Sequence, residues 1–412
     1  MKTPLIVLCF GLVLMEAGCD GSRATSPSVN ALPGVIRRAE SAWASATNPR
    51  TSKSSPEDMS DFQARCQAPG AVRCFGFDSQ AETSPYLVLP AWDNTKEHER
   101  VVADVKASGA GSLRFEVPSH SDANTSGAFA INFADDGSVQ FGEGEEFYVQ
   151  WRQRFSRDFL DTKYKSDGWK QIIISEGDRP GLTARSCTQL EIVVQNVYMQ
   201  GMPLMYHSCG GKDGKYEPLY TQDRTASIFV QNGVGCRYPD YPSPPCVRYK
   251  PDQWVTFQVH VKIGSWYAND GKYRHNSTVQ LWVAEEGRPS KLVIDFSPES
   301  GHGYDLANDN PAAKYGKVWL LPYQSKKDPA QGHPVGYTWY DELIISRSKI
   351  PDPKPRRAAS TVVNANCISP AKVYDGLRSV PRPDPAHVLK SHETCLTNLG
   401  VGKVRRQNRP VM

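Results

Sequence analysis

The formal net charge of +4 is spread over 412 residues, so neither a basic nor an acidic excess indicates a nucleic-acid partner. Beyond Met15, no apolar run reaches the length of a membrane-spanning helix. These properties exclude a protein built on helical membrane spans.

The N-terminus carries a signal-peptide pattern. Lys2 precedes an apolar run from Leu5 to Met15, which is too short to span a bilayer but suits the core of a signal peptide. Ala17-Gly18-Cys19 then resembles the lipobox of bacterial lipoproteins, although Glu16 stands where that box usually has Leu. We predict a bacterial protein that is secreted, periplasmic or an outer-surface lipoprotein. Its only membrane contact would be a lipid anchor at Cys19, with ordinary signal-peptidase cleavage as the alternative.

The cysteine count agrees with export. Cys9 and Cys19 belong to the signal region, and an even number of cysteines in an oxidising compartment indicates disulfides on loops. The other eight form four neighbouring couples: Cys66 with Cys74, Cys187 with Cys209, Cys236 with Cys246, and Cys367 with Cys395. Eight cysteines allow many pairings, so this connectivity is a prediction. A zinc site is disfavoured because no C-x-x-C pair occurs and no His stands at finger spacing.

Composition divides the chain into four regions. Residues 1–19 form the signal segment, residues 20–60 a linker rich in Ser, Ala, Thr and Pro, and residues 61–350 a compact domain. Residues 351–412 form a Pro-rich tail with eleven Lys/Arg against four Asp/Glu. This tail is either a solvated extension or a segment that meets anionic glycans or a lipid surface.

Short alternating segments separated by Gly, Pro, Asn and Asp clusters predict an all-β jelly-roll sandwich with long, disulfide-stapled loops over residues 61–350. No long amphipathic helix and no internal repeat is evident. The predicted strands are Ser112–Val117, Phe147–Phe155, Lys170–Ser175, Gln189–Gln195, Trp254–Ile263, Thr278–Ala284, Lys291–Phe296, Lys317–Pro322 and Tyr337–Ser346.

Several of these strands pair an apolar face with a face of long polar and aromatic side chains. The polar faces are formed by Tyr148, Gln150, Arg152 and Arg154; Gln189, Glu191 and Gln195; Gln258, His260 and Lys262; and Gln280 and Trp282. A sheet with one side in water would also alternate in this way. However, planar donors and acceptors beside aromatic rings suit sugar hydroxyls, and Arg suits a sugar carboxylate. We therefore expect a glycan-binding face.

The segments DQWVTFQVHVKIG, with Gln258-Val259-His260, and STVQLWVAEEG resemble the strand pair of concanavalin-A-like jelly-roll polysaccharide lyases of the heparin-lyase-I and alginate-lyase type. Arg114 and Glu116 in SLRFEV are similar to the Arg-and-Glu strand of the alginate-lyase branch, and YTWYDELIIS looks like a closing strand of such domains. The resemblance implies a concanavalin-A-like fold over residues 62–350 and a lyase acting on an acidic polysaccharide. The branch's Tyr-rich, Lys-containing final motif is not present as such.

A lyase of this type removes the proton beside a uronate carboxylate and expels the 4-oxygen, so it needs a neutraliser, a base and an acid. The resemblance implies His260 as the base, although a partly buried strand histidine bonded to a neighbour would look the same. The expected neutralisers are Gln258 with Arg114 or Arg152, and the candidate acids are Tyr148, Tyr198 and Tyr337. The expected substrate contacts are Gln150, Arg152, Arg154, Gln189, Glu191, Gln195, Lys262, Gln280 and Trp282. His207, beside Cys209, is a further candidate that a disulfide loop could aim at a substrate.

Alternatives to a lyase remain open. Hydrolysis needs two carboxylates flanking the bond, but Glu191 stands alone on its strand, and the adjacent Asp341 and Glu342 should point to opposite faces. Serine-nucleophile and phosphate-loop chemistry lack their motifs. A lectin-like protein would bind the glycan without cutting it, and an envelope protein could use the sandwich as a scaffold. No cofactor is expected, although Asp135-Asp136-Gly137 is a turn that could hold a structural calcium ion.

Overall fold

The computed structural model describes residues 56–88, 98–166, 168–186, 188, 190–196, 201–207, 228–231, 236, 246–265, 274–301, 306 and 312–354. All of them belong to one compact unit, Met1–Arg356. The helices are α1 (Pro56–Cys66), α2 (Gln80–Thr83) and α3 (Arg157–Asp161), with a 3-10 turn at Ser84–Tyr86. The strands are β1 (Ala71–Phe75), β2 (Leu87–Val88), β3 (Glu99–Val102), β4 (Ser112–Val117), β5 (Ala128–Asn132), β6 (Glu146–Phe155), β7 (Trp169–Glu176), β8 (Glu191–Asn196), β9 (Pro203–His207), β10 (Ile228–Phe229), β11 (Trp254–Lys262), β12 (Thr278–Glu285), β13 (Lys291–Phe296), β14 (Tyr315–Leu320) and β15 (Gly336–Ser346).

Two antiparallel sheets form a jelly-roll sandwich, which confirms the predicted fold class. Sheet A has the strand order β13-β12-β11-β6-β15-β4-β3, with β1 paired to β15. Sheet B has the order β10-β9-β8-β7-β14-β5-β2. Each of the nine predicted strands is present with shifts of no more than a few residues at its ends, while β1, β2, β3, β5, β9 and β10 were not predicted.

The core lies between the sheets and follows the period-two pattern of the sequence. Phe147, Val149 and Trp151 alternate along β6 and are fully buried, as are Phe257 and Val259 on the neighbouring β11. Burial of each such side chain stabilises the fold by about 1.5–3 kcal/mol. The alternation therefore fixes which face of each strand is available outside the sandwich.

A polar network is buried between the two sheets around Gln171 of β7. The Gln171 Oε1 accepts hydrogen bonds from Asn196 Nδ2 and from the Tyr249 hydroxyl, both at 2.8 Å. Its Nε2 donates to Gln153 Oε1 of sheet A at 2.9 Å, and the Tyr340 hydroxyl donates to its main-chain oxygen at 2.7 Å. Because buried polar groups are costly without partners, this network holds the two sheets in one relative position.

The chain itself covers much of the outer face of sheet A. Arg65 of α1 donates to Gln150 Oε1 at 2.7 Å and forms a buried ion pair with Glu342. The segment 347–354 lies on the same face, where Gln258 bonds both the main-chain nitrogen and oxygen of Ile350, at 2.8 and 3.2 Å. α1 begins at Pro56, inside the stretch predicted as linker. These two segments occupy the middle of the face that the sequence assigned to glycan binding.

A β-bulge in β15 corrects the prediction for Asp341 and Glu342. The register with β6 shifts between Asp341 and Ile344, and Glu342 has a φ of 50°. The extra residue breaks the alternation, so both carboxylates point to the outer side of sheet A. There Asp341 accepts from the Ala107 amide at 2.7 Å, and Glu342 pairs with Arg65 and Arg152. Both are buried structural groups rather than a hydrolytic pair.

Two of the four predicted disulfides are confirmed. Cys66 at the end of α1 is bonded to Cys74 of β1, and Cys236 is bonded to Cys246. The cysteines of the other two couples, Cys187 with Cys209 and Cys367 with Cys395, lie outside the described residues. Their pairing therefore stays a prediction.

No helix in the described part of the chain is long and apolar enough to cross a membrane.

Candidate functional site

The outer face of sheet A brings most of the sequence-predicted residues together but gives them partners. The two ring nitrogens of His260 lie 2.9 Å from Glu146 Oε2 and 2.9 Å from Gln280 Oε1, and the residue is 8% exposed. Its ring stacks on Tyr148 with 4.2 Å between centroids. Burial and the charge of Glu146 raise the pKa of Tyr148. As placed, His260 is a bonded member of the sheet rather than a base open to a substrate.

The neighbours of His260 are similarly engaged. Gln150 and Gln258 bond the main chain of segment 347–354, which separates them from solvent. Lys349 of this segment lies over the Trp282 ring, with 4.5 Å to its centroid. Lys262 is exposed at the end of β11, opposite Glu146 of β6. Arg152 pairs with Glu342 at 3.3 Å and with Glu286 at 3.5 Å.

Arg114, Arg154 and Tyr337 lie at the other end of sheet A. Arg154 is six residues from Tyr148 along β6, which corresponds to about 20 Å. Arg114 lies over the Tyr337 ring at 4.9 Å, and burial together with Arg100 lowers its pKa. Arg154 lies over Trp339 at 5.9 Å and pairs with Asp252 at 3.6 Å. These residues therefore do not share one site with His260.

Glu191 and Gln195 lie on the opposite side of the molecule, on the outer face of sheet B. The polar and aromatic residues of this face are Lys170, Glu191, Gln195, Tyr206, Trp319 and Tyr323, which we call the sheet B site. Beneath them Ile173 and Val193 form an apolar floor on which Tyr206, Trp319 and Tyr323 pack. Gln189 and Tyr198 lie outside the described residues.

Lys170 is the central cation of the sheet B site. Its ammonium group lies 5.0 Å from the centroid of the Tyr323 ring and 5.7 Å from that of Tyr206. The β7–β8 register shifts between Lys170 and Ile172. The bulge turns Lys170 outward while Gln171 joins the internal network. Lys170, Tyr206 and Tyr323 are all half-buried.

Glu191 is the buried acid of the sheet B site. It is fully buried on β8, where its Oε2 accepts from the Thr188 amide at 3.4 Å. Burial raises the pKa of Glu191 to about 8, and Lys170 opposes that rise. The carboxyl group is thus largely protonated at neutral pH.

A second cation, Lys317 of β14, is fixed on the same face by ion pairing. Its ammonium group lies 2.9 Å from Asp178 Oδ1 and also donates to the Ala184 main-chain oxygen at 3.2 Å. Asp178 in turn accepts from the Asn132 amide at 2.8 Å. Lys317 therefore holds the start of the β7–β8 connection against the sheet. Lys170, by contrast, has no carboxylate at hydrogen-bond distance among the described residues of this face and contacts aromatic rings instead.

The sequence interpretation missed Lys170, Tyr206 and Tyr323. Lys170 is the first residue of a predicted strand. Strict alternation would place Lys170 on the same face as Ile172, but the bulge places it on the outer face with Ile173, so the pattern does not reveal its neighbours. Tyr206 could have been found from PLMYH, where it alternates with the buried Met205 and His207. His207 is fully buried, and burial lowers its pKa to about 3, which does not suit a residue aimed at a substrate.

The described residues contain no group of three or more metal-binding side chains. In the turn predicted as a calcium candidate, Asp135 pairs with Arg73 at 2.6 Å and accepts from the Tyr86 hydroxyl at 3.1 Å. Asp136 Oδ1 accepts from the Ser138 amide at 3.0 Å. Calcium binding at this turn remains a prediction.

No protein-family model and no curated protein matches the chain. Three solved structures with a similar fold are a marine PL-14 alginate lyase from Aplysia kurodai, an endo-β-1,4-glucuronan lyase from the fungus Trichoderma reesei and an alginate lyase from a Chlorella virus. The first is 11% identical, covers 67% of this chain and 98% of its own, and has a TM-score of 0.43. The second is 12% identical, covers 66% of this chain and 97% of its own, and has a TM-score of 0.36. The third is 8% identical, covers 68% of this chain and 100% of its own, and has a TM-score of 0.36. These likenesses concern the fold alone.

Proposed function

We propose that this chain is an extracellular polysaccharide lyase that cleaves a uronate-containing glycan by β-elimination at the sheet B site. The observation that carries the proposal is Lys170, a half-buried ammonium group placed between the rings of Tyr206 and Tyr323. A cation flanked by aromatic rings on an apolar floor is suited to a sugar ring that carries a carboxylate.

In the proposed reaction, Lys170 binds the uronate carboxylate and stabilises the negative charge that develops there. The Tyr206 oxygen, as phenolate, takes the proton from the carbon beside the carboxylate. The bond to the 4-oxygen then breaks, and the electron pair left on carbon forms the new double bond. The leaving oxygen receives a proton from the Tyr206 phenol, which restores the base. Protons and electrons balance without an oxidant or reductant.

The outer face of sheet A is the alternative location, and one set of variants separates the two. Lys170→Ala and Tyr206→Phe should each lower kcat by about 100-fold or more, because each removes a group acting on the transition state. His260→Ala removes the candidate base on sheet A and should leave kcat unchanged if the active site is the sheet B site. The measurement is the ultraviolet absorbance of the new double bond, with alginate, glucuronan, heparin and chondroitin as substrates. Activity lost only in His260→Ala would move the site to sheet A.

A lectin-like function is the second candidate, because the same cation and rings can hold a glycan without cutting it. It predicts retained binding to one of these polymers in a gel shift, with no absorbance change for any of them. Lys170→Ala would then weaken binding in the gel shift, whereas His260→Ala would leave it unchanged.

A further inference from the structure

Trp319 of β14 is an aromatic residue of the sheet B site that the proposed reaction does not use. It is half-buried and packs on the apolar floor that includes Ile173 and Val193. Its indole nitrogen is buried and has no hydrogen-bond partner among the described residues. What the side chain offers to a ligand is therefore the carbon surface of its ring.

The strand register places Trp319 in one row with the proposed base. Trp319 pairs with Ile173 of β7. Ile173 pairs in turn with Val193 of β8, which lies opposite Tyr206 of β9. Trp319 and Tyr206 are thus three strand spacings apart, or about 14 Å, and Lys170 lies two ladder steps from Ile173, or about 7 Å along β7. A glycan that contacts both aromatic rings has to extend over more than one sugar.

The ring of Trp319 is held in place by a cation that is already neutralised. The Lys317 ammonium group lies 5.1 Å from the centroid of the Trp319 ring. The same group lies 2.9 and 3.2 Å from the two carboxylate oxygens of Asp178, and the Lys317 side chain is only 7% exposed. Lys317 therefore fixes the indole through a cation–π contact, but its charge is spent on Asp178.

We propose that Trp319 forms a second sugar subsite, in which the sugar next to the uronate held by Lys170 packs its ring face on the indole. This inference rests on the proposed function, because it takes the sheet B site as the place where the glycan binds. The C–H face of a sugar ring is apolar, so it suits an aromatic carbon surface. The two subsites differ in chemistry, since Lys170 recognises a carboxylate and Trp319 recognises a sugar ring whether or not that ring is charged.

The first experiment measures binding without turnover, in a Tyr206→Phe background that lacks the proposed base. The probes are alginate, glucuronan, heparin and chondroitin in gel shifts at low and high salt. Trp319→Ala should weaken binding by about tenfold at both salt concentrations, because stacking on an uncharged ring is not screened by ions. Lys170→Ala should instead lose most of its affinity at low salt and flatten the salt dependence.

Two further variants separate stacking from a damaged fold. Trp319→Phe keeps a ring on the same floor and should weaken binding by no more than about threefold. Trp282→Ala is the matched control, since Trp282 is also half-buried and has Lys349 over its ring at 4.5 Å, but lies on sheet A. It should leave binding unchanged.

The second experiment uses the chain with Tyr206 intact and the absorbance assay. Trp319→Ala should raise KM by about tenfold and keep kcat within about twofold of the wild type, because the indole contacts a sugar beside the reacting one. A fall in kcat with unchanged KM would overturn the inference, since Trp319 would then act on the reacting sugar.

The outcomes for the subsite and for the lyase are distinct. Wild-type affinity in Trp319→Ala would overturn the subsite and leave the proposed function in place. A loss confined to low salt would also overturn the subsite, because the ring would then serve only to place Lys170. Binding that depends on Trp319, without any absorbance change, would overturn the lyase and support the subsite. Absence of binding to all four polymers would overturn both.

Discussion

At the scale of single residues, partners and burial decide which polar side chains can act on a substrate. His260 combines a suitable chemistry with two occupied ring nitrogens, whereas Lys170 makes ring contacts and remains half-buried. A strand pattern predicts the side on which a residue lies, but it does not predict its partners. For this reason the sequence predicts a histidine, whereas our proposal places a lysine and a tyrosine of the other sheet in the site.

Buried His207 should make the fold sensitive to acid. Its pKa falls from 6.5 to about 3 on burial, so the unfolded chain binds more protons between these values. Stability should therefore be complete above pH 6.5 and decline by up to roughly 4 kcal/mol as the pH falls toward 3. His207→Gln should flatten this decline in urea unfolding measured at a series of pH values.

The control for this prediction is His120→Asn, since His120 is exposed and has a φ of 51° that Asn tolerates. Its stability should follow the wild-type pH dependence. An unchanged acid decline in His207→Gln would show that other groups cause it.

At the scale of elements, α1 is fastened to sheet A by charge. The Arg65 side chain is 3% exposed and bonds Glu342 and Gln150. Burial alone would raise the pKa of Glu342, but the positive charges of Arg152 and Arg65 outweigh this effect and hold the pKa below its ordinary value. Removal of one partner of a buried pair leaves an uncompensated charge. Arg65→Met should therefore lower the free energy of unfolding by about 3 kcal/mol in urea titrations.

Arg157→Met on α3 provides the comparison. Arg65 pairs with Asp61, four residues earlier, at 3.0 Å, and Arg157 likewise pairs with Asp161, four residues later, at 3.7 Å, but the Arg157 side chain is 67% exposed. Its loss should change stability by no more than about 0.5 kcal/mol. Similar losses for the two variants would contradict the role assigned to burial.

The strands were predictable from sequence, and the bulges were not. Phe147, Val149 and Trp151 alternate with polar residues, so the fold class and the inner face of β6 follow from elementary burial. At Lys170 and at Glu342 one extra residue resets the alternation. The preference for a bulge at these places depends on partners distant in sequence, such as Arg65 of α1 for Glu342.

At the scale of the whole molecule, the network around Gln171 couples the sandwich to the sheet B site. Gln171 reaches sheet A through Gln153 and is the chain neighbour of Lys170. Gln171→Leu would leave the Asn196 amide and the Tyr249 hydroxyl without an acceptor. We expect a loss of about 2 kcal/mol in unfolding free energy and a clear drop in kcat as Lys170 moves.

Ile172→Val tests the same strand without loss of a hydrogen bond. It should cost about 1 kcal/mol through the small cavity it leaves and should keep wild-type kcat. Equal losses of activity in the two variants would show that Lys170 depends on strand packing and not on the network.

The cover of sheet A has a practical consequence for attachment of the protein to a surface. α1 and segment 347–354, at the two ends of the described domain, both lie on sheet A, and Cys66–Cys74 fastens the first of them. The sheet B site faces the other way, across two sheets packed about 10 Å apart. Beads or electrodes coupled to exposed residues of α1 or of segment 347–354 should therefore leave Lys170 directed toward the solution, where a long polymer chain can approach it.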